Sequence, residues 1–139
     1  MYMKIQNWLK MREIKFRGKR IDNGKWIYGS LIIEEDPIAD AFKYFIKPFN
    51  FLTGKLVVPK TVGQFTGSRD KNNKEIYEGD IVRYNDKHTG VIVWKYTGFA
   101  LELFNGEKNT IILWCDVDNR DNIEVVGNIY ENPELIEYE

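Results

Sequence analysis

The 139-residue chain is predicted to be mainly β, a β-dominated α+β fold with short helices at most. In several segments apolar and polar residues alternate with the two-residue period of a strand. Clusters of glycine, asparagine and aspartate separate those segments at short intervals, as tight turns require. Apolar runs such as residues 110–114 are β-branched and too short for typical helices. The predicted architecture is an N-terminal β-hairpin lobe followed by a small β-barrel.

The predicted lobes are residues 11–60 and residues 61–139, which together form one compact unit of ordinary domain size. Residues 1–10 are predicted to be an N-terminal extension. Ile5 and Trp8 in this extension recur at helical spacing, so a short amphipathic turn could dock on the body, and disorder is the alternative.

The first lobe is predicted to begin with a hairpin. Residues 13–17 alternate, with Ile14 and Phe16 on the face expected to be buried and the charged residues between them on the exposed face. Residues 22–24 form an Asp-Asn-Gly turn that tolerates positive φ, and residues 26–33 are predicted to be the returning strand.

The remainder of the first lobe gives weaker signals. Residues 34–37 end in proline and are predicted to break the strand. Residues 38–51 are apolar but interrupted by Pro48, so they are predicted to be irregular with short strands. Residues 56–58 are strand-like and stop at Pro59.

The segment 61–84 contains the most specific sequence of the chain. A polar turn at residues 70–74 separates apolar and aromatic runs, and a tight corner at residues 78–80 leads into the strand 81–84. We predict that five residues shape these corners, namely Gly63, Gly67, Asp70, Gly79 and Asp80. The Gly-Asp corner, the strand, a turn ending in Gly90 and the β-branched run 91–94 resemble the start of an SH3-like barrel.

The last third of the chain is predicted to continue as strands. Residues 99–104 alternate weakly, residues 105–106 are an Asn-Gly hairpin turn, and residues 110–114 form a buried strand. A polar loop then leads to a final strand at residues 123–130. Residues 133–138 are predicted to form a short terminal turn, because Asn132 can cap it and proline follows.

Three stretches of sequence resemble the YopX family. They are MREIKFR at residues 11–17, TVGQFTGSRDKNNKEIYEGDIVRY at residues 61–84 and GNIYENPEL at residues 127–135. The resemblance implies a small β protein carried mostly by phages and prophages, in a family with no assigned biochemical role. The chain departs from the family in its first ten residues and at Ser68 and Arg69, where many members have a Gly-Leu-Lys-like sequence.

Composition limits the setting of the protein. Hydrophobic residues make up 43% of the chain, but no apolar run is long enough to span a bilayer, so no membrane association is expected. The chain shows no secretory signal, and its single cysteine cannot form an internal disulfide. A reducing, cytoplasmic location is therefore predicted, and the family resemblance implies that the cytoplasm is that of a bacterial host.

Charge is distributed unevenly along the chain. Residues 1–25 contain eight Lys/Arg and two acids, residues 26–115 contain eleven of each, and residues 116–139 contain one base and eight acids. Either the oppositely charged ends meet, within one fold or across a subunit contact, or the basic start contacts phosphates. Six bases around the first hairpin are the candidate nucleic-acid contacts, namely Arg12, Lys15, Arg17, Lys19, Arg20 and Lys25.

No catalytic constellation is recognised in the sequence, so an enzyme is not predicted. His88, the only histidine, lies in a predicted turn, and Cys115 is expected at the edge of the core. The acidic loop 116–122 lacks the glycine and the final glutamate of a calcium loop, and one cysteine with one histidine cannot form a zinc site. The Glu13 to Lys15 spacing resembles some nucleases but lacks a second acid. No cofactor or metal is predicted.

Three functions remain as hypotheses. The first is a non-enzymatic phage or prophage accessory module that self-associates, as a homo-oligomer, and binds a phage or host protein. The second is a nucleic-acid-binding small barrel that uses the basic hairpin. The third is a metal-dependent hydrolase built around Asp80, although an aspartate at a strand entrance more often accepts backbone hydrogen bonds.

Overall fold

Eleven strands in two antiparallel sheets form most of the regular structure in the described part of the chain. The computed structural model describes residues 11–105, 108–117 and 120–136. In these ranges the only helical elements are short 3-10 turns, at Pro59–Thr61, Trp114–Asp116, Arg120–Asn122 and Pro133–Ile136. The predicted mainly β class is confirmed. The predicted N-terminal extension lies outside the described residues, as do the end of the predicted terminal turn and Gly106.

The first sheet contains six strands. They are β1 (Phe16–Lys19), β2 (Trp26–Asp36), β3 (Ala41–Lys47), β4 (Lys55–Leu56), β5 (Gly63–Arg69) and β6 (Glu75–Tyr77), in the spatial order β4-β3-β2-β1-β5-β6. The predicted hairpin is formed by β1 and β2, with Gly24 at a φ of 70° in the turn between them. Glycine suits this position because it has no Cβ to oppose a positive φ.

Strands β2 and β3 pair beyond the end of β1, and here two sequence expectations are wrong. The strand is not broken at residues 34–36, because Ser30–Asp36 pairs continuously with Ala41–Lys47. The region 38–51, predicted to be irregular with short strands, contains one seven-residue strand, β3, which is longer than predicted. The turn forms after Asp36, whose Oδ1 atom accepts hydrogen bonds from the amides of Ile38 and Ala39. Pro48 lies just beyond β3 and does not interrupt it.

The second sheet contains five strands. They are β7 (Asp80–Tyr84), β8 (His88–Lys95), β9 (Gly98–Asn105), β10 (Lys108–Leu113) and β11 (Ile123–Asn128), in the order β10-β9-β8-β7-β11. In the part of the chain that the structure describes, β10 and β11 are edges and the sheet is open. The predicted SH3-like barrel is not confirmed. The turn signals predicted that consecutive strands pair in antiparallel fashion. An open sheet has the same pairing as a barrel, so these signals do not distinguish the two.

The main core lies against one face of the second sheet. Its buried members are Ile76, Val82, Ile92, Leu101, Leu103, Trp114, Val117 and Ile123. Ile76 belongs to β6, so the first sheet contributes a side chain to the core of the second. The sheets change at Glu78 and Gly79, within the segment 61–84, and not at residue 60, where the two predicted lobes meet.

Gly63 provides a test of how closely the chain packs at this change of sheet. A Cβ atom at Gly63 would overlap the backbone carbonyl oxygen of Glu78. We expect Gly63→Ala to lower the free energy of unfolding by about 1–3 kcal/mol, because the backbone must shift. Gly98→Ala is the control, since a Cβ there meets nothing within 4 Å. Urea unfolding measures both, and equal stabilities would contradict the predicted overlap.

Candidate functional site

A buried ion pair joins the two sheets. Arg17 of β1 donates from Nη2 to Oδ1 of Asp80 at the start of β7, at 2.7 Å. The other carboxylate oxygen, Oδ2, accepts the backbone N–H of Tyr77 at 2.7 Å. Arg17 is 5% exposed and Asp80 1% exposed. Gly79, at a φ of 91°, turns the chain so that Asp80 enters the interior directly.

Aromatic rings hold the Arg17 guanidinium in place. Its Cζ atom lies 4.6 Å from the ring centroid of Trp26 and 4.9 Å from that of Tyr77. The Tyr28 and Tyr77 rings are edge to face, with centroids 5.5 Å apart. A partly desolvated cation over aromatic faces is stabilised electrostatically. Burial raises the pKa of Tyr77 well above its usual value.

Both oxygens of Asp80 are occupied, which limits its chemistry. Burial raises the pKa of Asp80, while the Arg17 charge and the Tyr77 amide oppose that rise. A polar cleft of about 330 Å³ opens beside the pair, with Trp26, Tyr28 and Lys74 among its lining residues. A carboxylate that already accepts a charged and a neutral hydrogen bond is better suited to joining sheets than to accepting a proton from a substrate.

Asp70 makes a second connection between the sheets. In the turn between β5 and β6, its Oδ1 atom accepts the amides of Asn72 and Lys74, both at 2.9 Å. Its Oδ2 atom accepts the amide of Val125 in β11, also at 2.9 Å. The neighbouring Lys71 amide donates to the Ile123 carbonyl at 3.0 Å. One buried carboxylate thus shapes a turn and fixes it to the other sheet.

The acidic C-terminal region contacts the basic hairpin. Oε1 of Glu131 lies 3.0 Å from Nζ of Lys19 and accepts the indole N–H of Trp26 at 2.9 Å. The hydrogen bond from Lys19 lowers the pKa of Glu131. At this point the oppositely charged ends meet within one fold, which is the first of the two explanations for the uneven charge.

The predicted nucleic-acid contacts do not form one free basic surface. The expected exposure of Arg17 is wrong, because its side chain is buried against Asp80. Ile14, which was expected to be buried, is 46% exposed. The alternating pattern predicted that the apolar side chains point inward. Arg17 points inward instead, because Asp80 provides a buried carboxylate that pairs with its charge. Lys15 pairs with Glu13 and Glu75, Lys19 with Glu131, and Arg20 with Asp22. Arg12 and Lys25 are exposed.

The five predicted corner residues lie in the segment 61–84, which contains the change of sheet. Gly63 begins β5, and Gly67 lies within β5 at a φ of 86°. The positions of the other three, Asp70, Gly79 and Asp80, are those described above. Sequence analysis did not predict that Asp80 pairs with Arg17, or that Asp70 reaches β11.

The other candidate residues are exposed. His88 is the first residue of β8 rather than part of a turn. Cys115 is exposed in a 3-10 turn and not at the edge of the core, because Trp114 beside it takes the buried position. Within the described ranges, no three His, Cys, Asp or Glu side chains are grouped as metal ligands. Part of the loop 116–122 lies outside those ranges.

An apolar surface covers the paired ends of β2 and β3, residues 30–47, which we call the arm. Ile33 is 50% and Phe42 61% exposed on one face. The other face exposes Ile32 and, in the adjoining β4, Leu56. Scattered exposed apolar residues are normal, but a contiguous group marks an interaction surface. Sequence analysis missed this surface because the strand was predicted to break at residues 34–37 and residues 38–51 were predicted to be irregular with short strands.

Comparisons with known proteins agree with the fold. A family profile described as "YopX protein" matches residues 15–137. The crystal structure of protein EF1440 from Enterococcus faecalis is similar, with a TM-score of 0.53 and 25% sequence identity, over 91% of this chain and 100% of that chain. The comparison with curated proteins gives no match. None of the helices in the described ranges is long and apolar enough to cross a membrane.

Proposed function

The chain belongs to the YopX family, and from that premise we propose that it is a non-enzymatic phage or prophage accessory module that self-associates and binds a protein partner. Its place of action is the cytoplasm of the bacterial host. The binding surface is the arm.

The observation that carries this proposal is the exposed apolar surface of the arm. Ile33 and Phe42 are at least half exposed on a regular strand pair, where side-chain positions are fixed. Placing such residues in an interface removes apolar area from water, which contributes roughly 25 cal/mol per Å² before the costs of association. Asp80, the acid around which a hydrolase was considered, instead accepts hydrogen bonds from Arg17 and from the Tyr77 amide.

The ion pairs of the candidate bases argue against the nucleic-acid alternative. Of the six candidate bases, Lys15, Arg17, Lys19 and Arg20 already pair with carboxylates. Phosphate binding through them would first have to break those pairs. A filter-binding assay at low salt tests this alternative directly, and we expect no steep loss of binding with added salt because little binding is present.

Self-association is tested by light scattering on the full chain over a wide concentration range. We expect the mean mass to rise above that of the monomer with concentration. The double variant Ile33→Lys, Phe42→Lys should stay monomeric at concentrations where the wild type associates, because it places charge in the interface. The control is Val126→Lys, an exposed apolar residue on β11 outside the arm. A wild type that stays monomeric throughout would refute self-association.

A further inference from the structure

Strand β2 has one unpaired side. Strand β1 pairs with β2 only over Trp26–Gly29, through the register Phe16 to Gly29 and Lys19 to Trp26. Strand β3 pairs with the opposite side of β2 from Ser30 to Asp36. Among the residues that the structure describes, no strand pairs with the β1 side of residues 30–36. We call this seven-residue stretch the free edge.

The hydrogen-bonding groups on the free edge can be assigned from the register. The carbonyl of Tyr44 accepts the amide of Val57, so the Tyr44 backbone points toward β4 and away from β2. Ile33 lies opposite Tyr44, so its N–H and C=O point away from β3 and toward the free edge. Because strands have a two-residue period, Leu31 and Glu35 present theirs in the same direction.

Both faces beside the free edge expose apolar side chains. Ile33 and Phe42 are exposed on one face, and Ile32 is exposed on the other beside Phe45. A strand added at the edge would therefore gain backbone hydrogen bonds, and apolar contacts on the face toward which its own apolar side chains point. Natural edges are protected by charged side chains, proline or bulges; residues 30–36 contain no proline, lysine or bulge, and all their charges are acidic.

Charge indicates what kind of strand fits. Strand β2 contains Glu34, Glu35 and Asp36 and no lysine or arginine. Asp36 pairs with Lys43 at 3.2 Å, whereas Glu34 and Glu35 are exposed. Opposite charges on facing strands are favourable and like charges are unfavourable. An incoming strand with lysine or arginine beside its apolar residues is therefore complementary, and an acidic strand is not.

We propose that the free edge of β2 binds, by antiparallel strand addition, an extended segment of a partner protein in which apolar residues alternate with lysine or arginine. This inference rests on the proposed function and specifies the class of partner. Main-chain hydrogen bonds to Leu31, Ile33 and Glu35 provide the attachment. Glu34 and Glu35 lie on opposite faces of β2, so the one on the face that the incoming basic side chains occupy selects the segment.

The probe is a labelled, end-capped heptapeptide of alternating valine and lysine. Its binding to the full chain is measured by fluorescence polarisation, at protein concentrations below those at which the chain self-associates. The deciding variant is Ile33→Pro, which removes the amide that points to the free edge and leaves the bonds to β3 in place. Ile33→Thr is the matched control, since it loses the same apolar side chain but keeps a β-branched residue and its amide. Circular dichroism establishes that both variants fold.

We expect the wild type to bind the valine-lysine peptide and Ile33→Pro to bind it at least tenfold more weakly. Ile33→Thr should stay closer to the wild type than to Ile33→Pro, and a valine-glutamate peptide should bind poorly. The proposal is overturned if the wild type does not bind the peptide, if Ile33→Pro binds it equally well, or if the acidic peptide binds as tightly.

The same variants separate this inference from the proposed function. If Ile33→Pro still self-associates but binds no peptide, both proposals hold: the free edge binds the partner strand, and the faces of the arm mediate self-association. If the wild type binds no peptide and Ile33→Pro loses self-association, the edge pairs with a second copy of the chain, and the partner-strand proposal is wrong. If neither binding nor self-association is detected in the wild type, both proposals fail.

Discussion

Asp80→Ala is expected to lower the free energy of unfolding by about 3–5 kcal/mol, the largest effect of any single carboxylate in the protein. The substitution leaves the guanidinium of Arg17 buried, at 5% exposure, without its partner at 2.7 Å. It also removes the acceptor of the Tyr77 amide. Urea unfolding followed by tryptophan fluorescence measures the loss, provided that the slope with denaturant stays unchanged.

Two further variants separate the loss of the pair from the loss of packing. Asp80→Asn keeps an acceptor for the Tyr77 amide but loses the charge, so its stability should lie between those of the wild type and Asp80→Ala. The double variant Arg17→Met, Asp80→Leu should recover part of the lost stability, because it leaves no buried charge unpaired but still lacks an acceptor for the Tyr77 amide. Stability of Asp80→Ala close to that of the wild type would show that the ion pair contributes little.

Asp70→Ala is expected to have the second largest effect, a loss of about 3 kcal/mol. Three backbone amides, of Asn72, Lys74 and Val125, donate to this carboxylate, and hydrogen bonds to a charged group contribute about 1.5–3 kcal/mol each before solvent replaces some of them. The Val125 amide belongs to the other sheet, so the turn between β5 and β6 should also detach. Urea unfolding gives the magnitude, and hydrogen exchange at the Val125 amide reports the detachment.

Asp86→Ala is the matched control for Asp70→Ala. Asp86 is also an acid in a turn, but its side chain is 84% exposed and its nearest cation, Nζ of Lys71, is 3.7 Å away. An exposed ion pair of this kind contributes at most about 1 kcal/mol. Asp86 has a left-handed φ of 57°, so alanine adds a small backbone cost that Asp86→Asn, which loses the same charge, avoids. If Asp70→Ala and Asp86→Ala destabilise the protein equally, the contact between the turn and β11 is not important for stability.

The sequence predicts the local features of the fold well. The turn at Gly24 and the corner at Gly79 were identified because positive φ favours glycine, and the mainly β class follows from alternation and β-branched runs. These signals depend on residues close together in the chain. They gave the first hairpin correctly, although they also favoured a barrel where the second sheet is open.

The candidate site was harder to predict, because its residues are distant in sequence. Arg17 and Asp80 are 63 positions apart, and Asp70 and Val125 are 55 apart. Considered alone in the sequence, Arg17 resembled an exposed base, and Asp70 and Asp80 resembled turn acids. Burial of Arg17 depends on a partner that only the pairing of two sheets brings near.

The free edge depends on a mismatch of strand lengths that local patterns do not report. Strand β1 has four residues and β2 has eleven, so β1 covers only the first part of β2. Residues 34–36 were expected to end the strand because a proline follows them. The structure keeps them in β2, since their partners in β3 supply the backbone hydrogen bonds.

Residue-resolved hydrogen exchange of the full chain, in dilute and in concentrated solution, tests most directly whether the arm is the binding surface. In dilute protein the amides of Leu31, Ile33 and Glu35 should exchange quickly, while those of Ile32 and Glu34, bonded to β3, exchange slowly. Association through the arm predicts that concentration slows exchange across residues 30–47 and leaves the second sheet unchanged. Slower exchange in the second sheet, with the arm unaffected, would contradict it.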